Sequence, residues 1–72
     1  MRTMTFTFDY ALIDPMTLMY KVDHAFRNIV FSTYEDIDED SFLLHFFPFN
    51  GEIPYEKIQE ISDFVNPYLF ES

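Results

Sequence analysis

The segment Phe42-Leu43-Leu44-His45-Phe46-Phe47 constrains this chain more than any other, because an extended strand through it is apolar on both sides. Successive side chains of a strand point to opposite faces. Phe42, Leu44 and Phe46 therefore share one face, and Leu43, His45 and Phe47 the other. Such a strand is either central and covered twice or presents one apolar face to a partner. The second possibility gains weight from size. The 72 residues allow one small domain over 1–72, with no cysteine to cross-link it, so packing alone must stabilise it. Ten Phe and five Tyr supply that packing. At roughly 150–250 Å² apiece these rings bring more apolar area than a small two-layer core hides. The surplus points to an exposed apolar face with Leu43, Phe47 and Phe49 as its residues and Tyr34 across the hairpin, open to a homodimer or another partner.

The rest of the chain supplies partners for that strand. Thr3 to Phe8 alternates strictly, with Met4, Phe6 and Phe8 on one side and threonines on the other, the pattern of a half-buried strand. Asp14-Pro15 is a helix start, with Asp14 able to cap free N–H groups and Pro15 suited to the first helical position. Leu18, Met19, Val22, Ala25, Phe26 and Ile29 then recur at helical spacing, and an end is expected near Arg27–Asn28. Ile29 to Tyr34 is β-branched and aromatic, a second strand; Ser41 to Phe47 is the third, stopped by Pro48. Asn50-Gly51 reads as a tight turn. Pro54 opens a second helix with Tyr55, Ile58, Ile61, Val65 and Leu69 along one face, and Pro67 ends it near Val65 or Asn66.

The fold expected from this order is α+β, a small two-layer sandwich, β-α-β-β-α, with a three-stranded sheet and two helices on one face. Strands two and three form an antiparallel hairpin. Strands one and two, joined through a helix, run parallel by a right-handed crossover if they are neighbours. The expected core is Phe6, Phe8, Leu18, Val22, Phe26, Phe31, Leu44, Ile58, Ile61 and Val65.

Thirteen Asp+Glu stand against four Lys+Arg, for a formal charge of −9. That balance argues against direct binding to nucleic acid or an anionic membrane, both of which repel it. The chain contains no stretch of eighteen consecutive apolar residues, and no basic N-terminal region precedes an apolar run, so neither a span nor a signal peptide is expected and the location read from this is cytoplasmic. Five of the carboxylates crowd into Glu35, Asp36, Asp38, Glu39 and Asp40. One reading is a solvated hairpin loop. A calcium loop is a second, from the spacing of Asp36, Asp38 and Asp40, but Ser41 stands where that motif needs Gly and Phe47 where it needs Glu. The third is a patch for a basic partner protein. Six extended residues span roughly 20 Å at about 3.3 Å each, a charge spacing comparable with the ~3.4 Å between phosphates of one DNA strand. On this reading, neutralising Asp36, Asp38, Glu39 and Asp40 leaves stability unchanged or slightly raised.

Chemistry is poorly represented. His24 and His45 form no close-spaced pair for a metal. There is no cysteine, no serine or threonine in a nucleophile motif, and no glycine-rich phosphate loop. No enzyme activity, cofactor or metal is expected. The β-α-β-β-α order, with a Tyr/Phe-bearing first helix and a late Phe64-x-Asn66, resembles a small accessory protein of His-Xaa-Ser peptide maturation systems, without a diagnostic motif to assign membership. The function expected is non-enzymatic protein binding. Its sharpest form is a small inhibitor that occupies a nucleic-acid-binding surface, of the phage anti-restriction or anti-CRISPR kind, an analogy from size and charge. The alternative is an accessory or assembly subunit, immunity- or antitoxin-like or a peptide-maturation component, that binds through its aromatic face.

Overall fold

The computed structural model describes residues 3–71. In chain order they form β1 (Met4–Asp9), α1 (Pro15–Ala25), β2 (Val30–Asp36), β3 (Ser41–Pro48) and α2 (Tyr55–Val65), followed by a single 3-10 turn over Asn66–Tyr68. This is the α+β domain expected from the periodicities, with a three-stranded sheet and both helices burying residues into a single core on one side of it. No helix among the described residues is long and apolar enough to cross a membrane.

Strand order is β1-β3-β2. Both outer strands run antiparallel to β3, so β1 and β2 are not neighbours and no parallel pairing forms. The physical reason lies in β3 itself. It is the strand with apolar residues on both faces, and the middle of the sheet gives its backbone two hydrogen-bonded neighbours. Registers Phe6↔Leu44 and Phe8↔Phe42 on one flank and Tyr34↔Leu44 on the other put these residues on the helix-covered side. Phe8, Phe42, Leu44 and Phe46 are fully buried there, with Val30 of β2, Leu18 and Val22 of α1, and Ile61 and Val65 of α2.

Local chemistry accounts for the element boundaries. The Asp14 carboxylate accepts from the Thr17 hydroxyl at 2.6 Å and from the Thr17 N–H at 3.0 Å, which holds its pKa below the usual aspartate range. The Phe26 N–H closes the last helical turn on the Val22 carbonyl, and the chain reverses through Asn28 at φ 68°, a left-handed conformation that Asn tolerates better than most residues. The helix thus stops short of the expected Arg27–Asn28. Gly51, at φ 66°, lies in a bend over residues 49–52 before α2, with no described hydrogen bond closing the tight turn expected there.

Four expected burial positions differ. Phe31 belongs to the opposite face of the sheet and is 44% exposed, not core. Phe6 and Ile58 are only half-buried against the core. Tyr55 occupies the first position of α2 and is 85% exposed, while Ile61 and Val65 further along the helix are fully buried. Ile53, in the loop before α2, fills the core instead.

Candidate functional site

Alternation in the three strands leaves one face of the sheet without helices. Across it run Thr5↔His45↔Thr33, Thr7↔Leu43↔Glu35 and Phe47↔Phe31. The Phe31 and Phe47 rings stack with centroids 5.3 Å apart, and Phe49 meets Phe31 edge-on at 5.5 Å. Phe49 is 50% exposed, while Leu43 and Phe47 are half-buried by their neighbours. The structure therefore brings Phe47 and Phe49 together as an aromatic cluster with Leu43 on the same face, but the most exposed contribution beside Phe49 comes from Phe31. Tyr34 does not join them. It pairs with Leu44 and lies on the helix-covered face, because its sequence parity is that of Val30 and Ser32.

His45 occupies the centre of the open face. Its Nε2 lies 3.3 Å from a Glu35 carboxylate oxygen and its Nδ1 lies 3.0 Å from the Thr5 hydroxyl. A carboxylate can only accept, so Nε2 carries the proton in the neutral ring and Nδ1 accepts from Thr5. One side chain thereby ties all three strands, an arrangement invisible before the register is known.

The acidic run does not stay extended. Glu35 and Asp36 belong to β2, and residues 37–40 fold into a tight connection whose Ile37 and Asp38 N–H groups both donate to the Ser41 carbonyl, at 3.2 and 3.3 Å. The Asp38 carboxylate accepts from the Asp40 N–H at 2.8 Å, the Ser41 N–H at 2.9 Å and the Ser41 hydroxyl at 3.1 Å. The Asp40 N–H, followed by the two Ser41 donors, holds the Asp38 pKa below the usual aspartate range. Two expectations change. The phosphate-like spacing of an extended run does not apply, since the charges cluster at a hairpin tip. Asp38 is also a turn residue, since its Oδ1 accepts three hydrogen bonds that close the hairpin, whereas Glu39 and Asp40 make none with their carboxylates among the described residues.

Asp36 accepts a hydrogen bond from the Tyr10 hydroxyl, and the Tyr10 N–H donates to the Asp40 carbonyl at 3.0 Å. Tyr10 thus pins the hairpin tip to the end of β1. Glu39 and Asp40 remain exposed, and their carboxylates make no hydrogen bond or ion pair among the described residues. Among the described residues Lys57–Glu60 is an ion pair and His45–Glu35 becomes one only with a protonated imidazole, and neither includes Glu39 or Asp40. Among the described residues no group of three or more His, Asp or Glu could hold a metal ion. A depression of about 150 Å³ lies at the start of α2, lined by Met4, Glu52, Ile53, Tyr55 and Ile58, and a wider, shallow one of about 510 Å³ lies at the hairpin tip, lined by Tyr10, Asp36, Asp38 and Glu39.

The candidate surface thus combines an acidic hairpin tip with an open sheet face on which His45 lies between Glu35 and the Phe47 ring. The chain matches no protein-family model, no curated protein and no solved structure.

Proposed function

We propose that this protein is a non-enzymatic binding module whose acidic tip occupies a basic surface of a partner protein, most sharply a nucleic-acid-binding surface that it blocks, as small phage inhibitors of restriction or CRISPR effectors do. The observation that carries the reading is the exposed carboxylate pair Glu39 and Asp40 at the β2–β3 tip, which takes part in no ion pair among the described residues, on a chain with a formal charge of −9. A basic groove gains from such a cluster whether or not the charges follow phosphate spacing, and complementary potentials speed encounter. The rigid hairpin, held by Asp38 and Tyr10, lowers the ordering cost of presenting them.

The test is displacement. Labelled duplex DNA bound to purified restriction and CRISPR effectors is titrated with the protein at several salt concentrations. The expected result is release of DNA from a susceptible effector, weakening steeply as salt rises. Unchanged DNA occupancy at low salt across the effectors rejects the inhibitor form.

A second reading has its own support. The Phe31–Phe47–Phe49 cluster favours an accessory or assembly subunit that docks through the open face. Contact of that kind is insensitive to salt, and Phe31→Ser weakens it where Glu39→Gln with Asp40→Asn does not.

A further inference from the structure

The two edges of the sheet are treated differently. Outside β1 the C-terminal segment pairs with the strand, through the antiparallel bridge Phe8↔Leu69 and a 3.0 Å bond from the Phe70 N–H to the Thr7 carbonyl. Outside β2 no described backbone group takes that place. The β2–β3 ladder is bounded by a bond from the Phe49 N–H to the Ile29 carbonyl and one from the Ile37 N–H to the Ser41 carbonyl, each 3.2 Å. Backbone groups alternate in direction along an antiparallel pair, so Phe31, Thr33 and Glu35 face β3. Ser32, Tyr34 and Asp36 turn their N–H and C=O groups outward, and none of the three makes a described backbone bond beyond the strands. Proteins blunt open edges with charged side chains, proline, bulges or very short strands. β2 contains no proline, its register with β3 is unbroken from Val30 to Asp36, and its two charges, Glu35 and Asp36, occupy only its last positions.

We propose that β2 accepts an extended segment of a basic protein as a fourth strand. This rests on the acidic-module reading and specifies how the partner is held: backbone bonds to Ser32, Tyr34 and Asp36 supply affinity, and flanking side chains supply selectivity. The occupant's chemistry follows from the two ends of the edge. Glu35, Asp36 and the tip carboxylates Glu39 and Asp40 lie at one end; exposed Phe31 and Phe49 lie at the other. The fitting strand carries Lys or Arg at the end meeting the tip and an apolar or aromatic residue at the end meeting Phe31. A second copy of the chain fits poorly, because it brings the same charge of −9 and has no Lys or Arg in β2 or β3 to answer these carboxylates.

The probe is a short peptide alternating valine and threonine, with lysines at its N-terminal end for antiparallel addition, titrated into the full chain and followed by amide hydrogen exchange. The expected result is saturable binding with new protection at Ser32, Tyr34 and Asp36. Ser32→Pro deletes an outward donor and leaves the β3 ladder intact, and weakens the peptide about tenfold or more, as loss of strand hydrogen bonds implies. Should that variant fail to fold, the peptide N-methylated on alternate residues is used with the unaltered protein, and the same loss is expected. Equal affinity for the N-methylated peptide, no binding, or protection at these amides that rises with protein concentration without peptide overturns the strand. Lysine-dependent binding that ignores N-methylation, with shifts confined to Glu39 and Asp40, overturns the strand and leaves the acidic-module reading standing. Equal binding of a lysine-free peptide overturns the basic partner.

Discussion

Phe46 and Phe47 are adjacent in the central strand yet face opposite sides, and comparing their truncations tests whether one side is bare. Phe46 is fully buried and meets the Phe6 ring at 5.8 Å. Phe46→Ala loses the transfer energy of a whole ring and leaves a cavity, about 3–5 kcal/mol. A domain of 72 residues has a total stability of about 4–11 kcal/mol at about 0.05–0.15 kcal/mol per residue, so this variant loses much or all of it. Phe47 is half-buried and stacked on Phe31. Its ring already meets water on one side, so Phe47→Ala loses the aromatic pair and part of the transfer term, about 1–2 kcal/mol. Urea denaturation followed by far-ultraviolet circular dichroism measures both, with the leucine variants as milder versions if Phe46→Ala is unfolded. The ordering Phe46 well above Phe47 is expected in each series. Equal costs would refute the reasoning, since they require the supposedly open face to be covered as thoroughly as the core.

Three further outcomes follow from the same contacts. Asp38→Ala lowers the melting temperature at neutral pH. Because the Asp38 pKa is depressed in the folded state, its contribution is present above the unfolded value of about 3.9 and lost as pH falls through the folded value; the gap between Asp38→Ala and the parent therefore closes in that acid range, and a pH-independent gap contradicts the assignment. Glu39→Gln with Asp40→Asn, by contrast, leaves the melting temperature unchanged or slightly raised at low salt, because only self-repulsion is removed; a clear drop in a thermal scan would show these two carboxylates to be structural. Asn28→Ile costs about 1–2 kcal/mol in urea denaturation through its left-handed backbone, whereas Asn28→Gly is neutral or stabilising; equal effects would mean that the turn relaxes.

Much of the placement of the candidate residues was legible along the chain. The acidic cluster, the presence of an apolar second face on β3, and Phe47 with Phe49 as members of it follow from strand parity and composition. What parity could not reveal was the company these residues keep. Phe31 alternates with Val30 as regularly as any strand residue, and nothing local says which of the two meets the helices. The β3 register decides it, by placing Val30 and Tyr34 on the core side and Phe31 beside Phe47. The same non-local pairing moves Tyr34 off the candidate face and brings Thr5, His45 and Glu35 into one chain of hydrogen bonds.

The elements themselves were set by short-range chemistry. The Asp14-Pro15 start, the Asn50-Gly51 bend, the alternation of β1 and the stripe through Leu18 and Val22 each depend on residues a few positions apart, and sequence alone determined them. Strand order belongs to the tertiary structure. A β-α-β connection is compatible with β1 beside β2 or with β3 between them, and the choice depends on which strand gains most from two neighbours and from burial against the helices. The turn role of Asp38 is of the same origin: its carboxylate reads as one negative charge among five until the hairpin closes and places the Asp40 and Ser41 N–H groups around it. Periodicity fixes which side chains share a face, because that depends only on backbone geometry. What covers the face, and what a charge on it must satisfy, is decided by contacts between residues far apart in the chain.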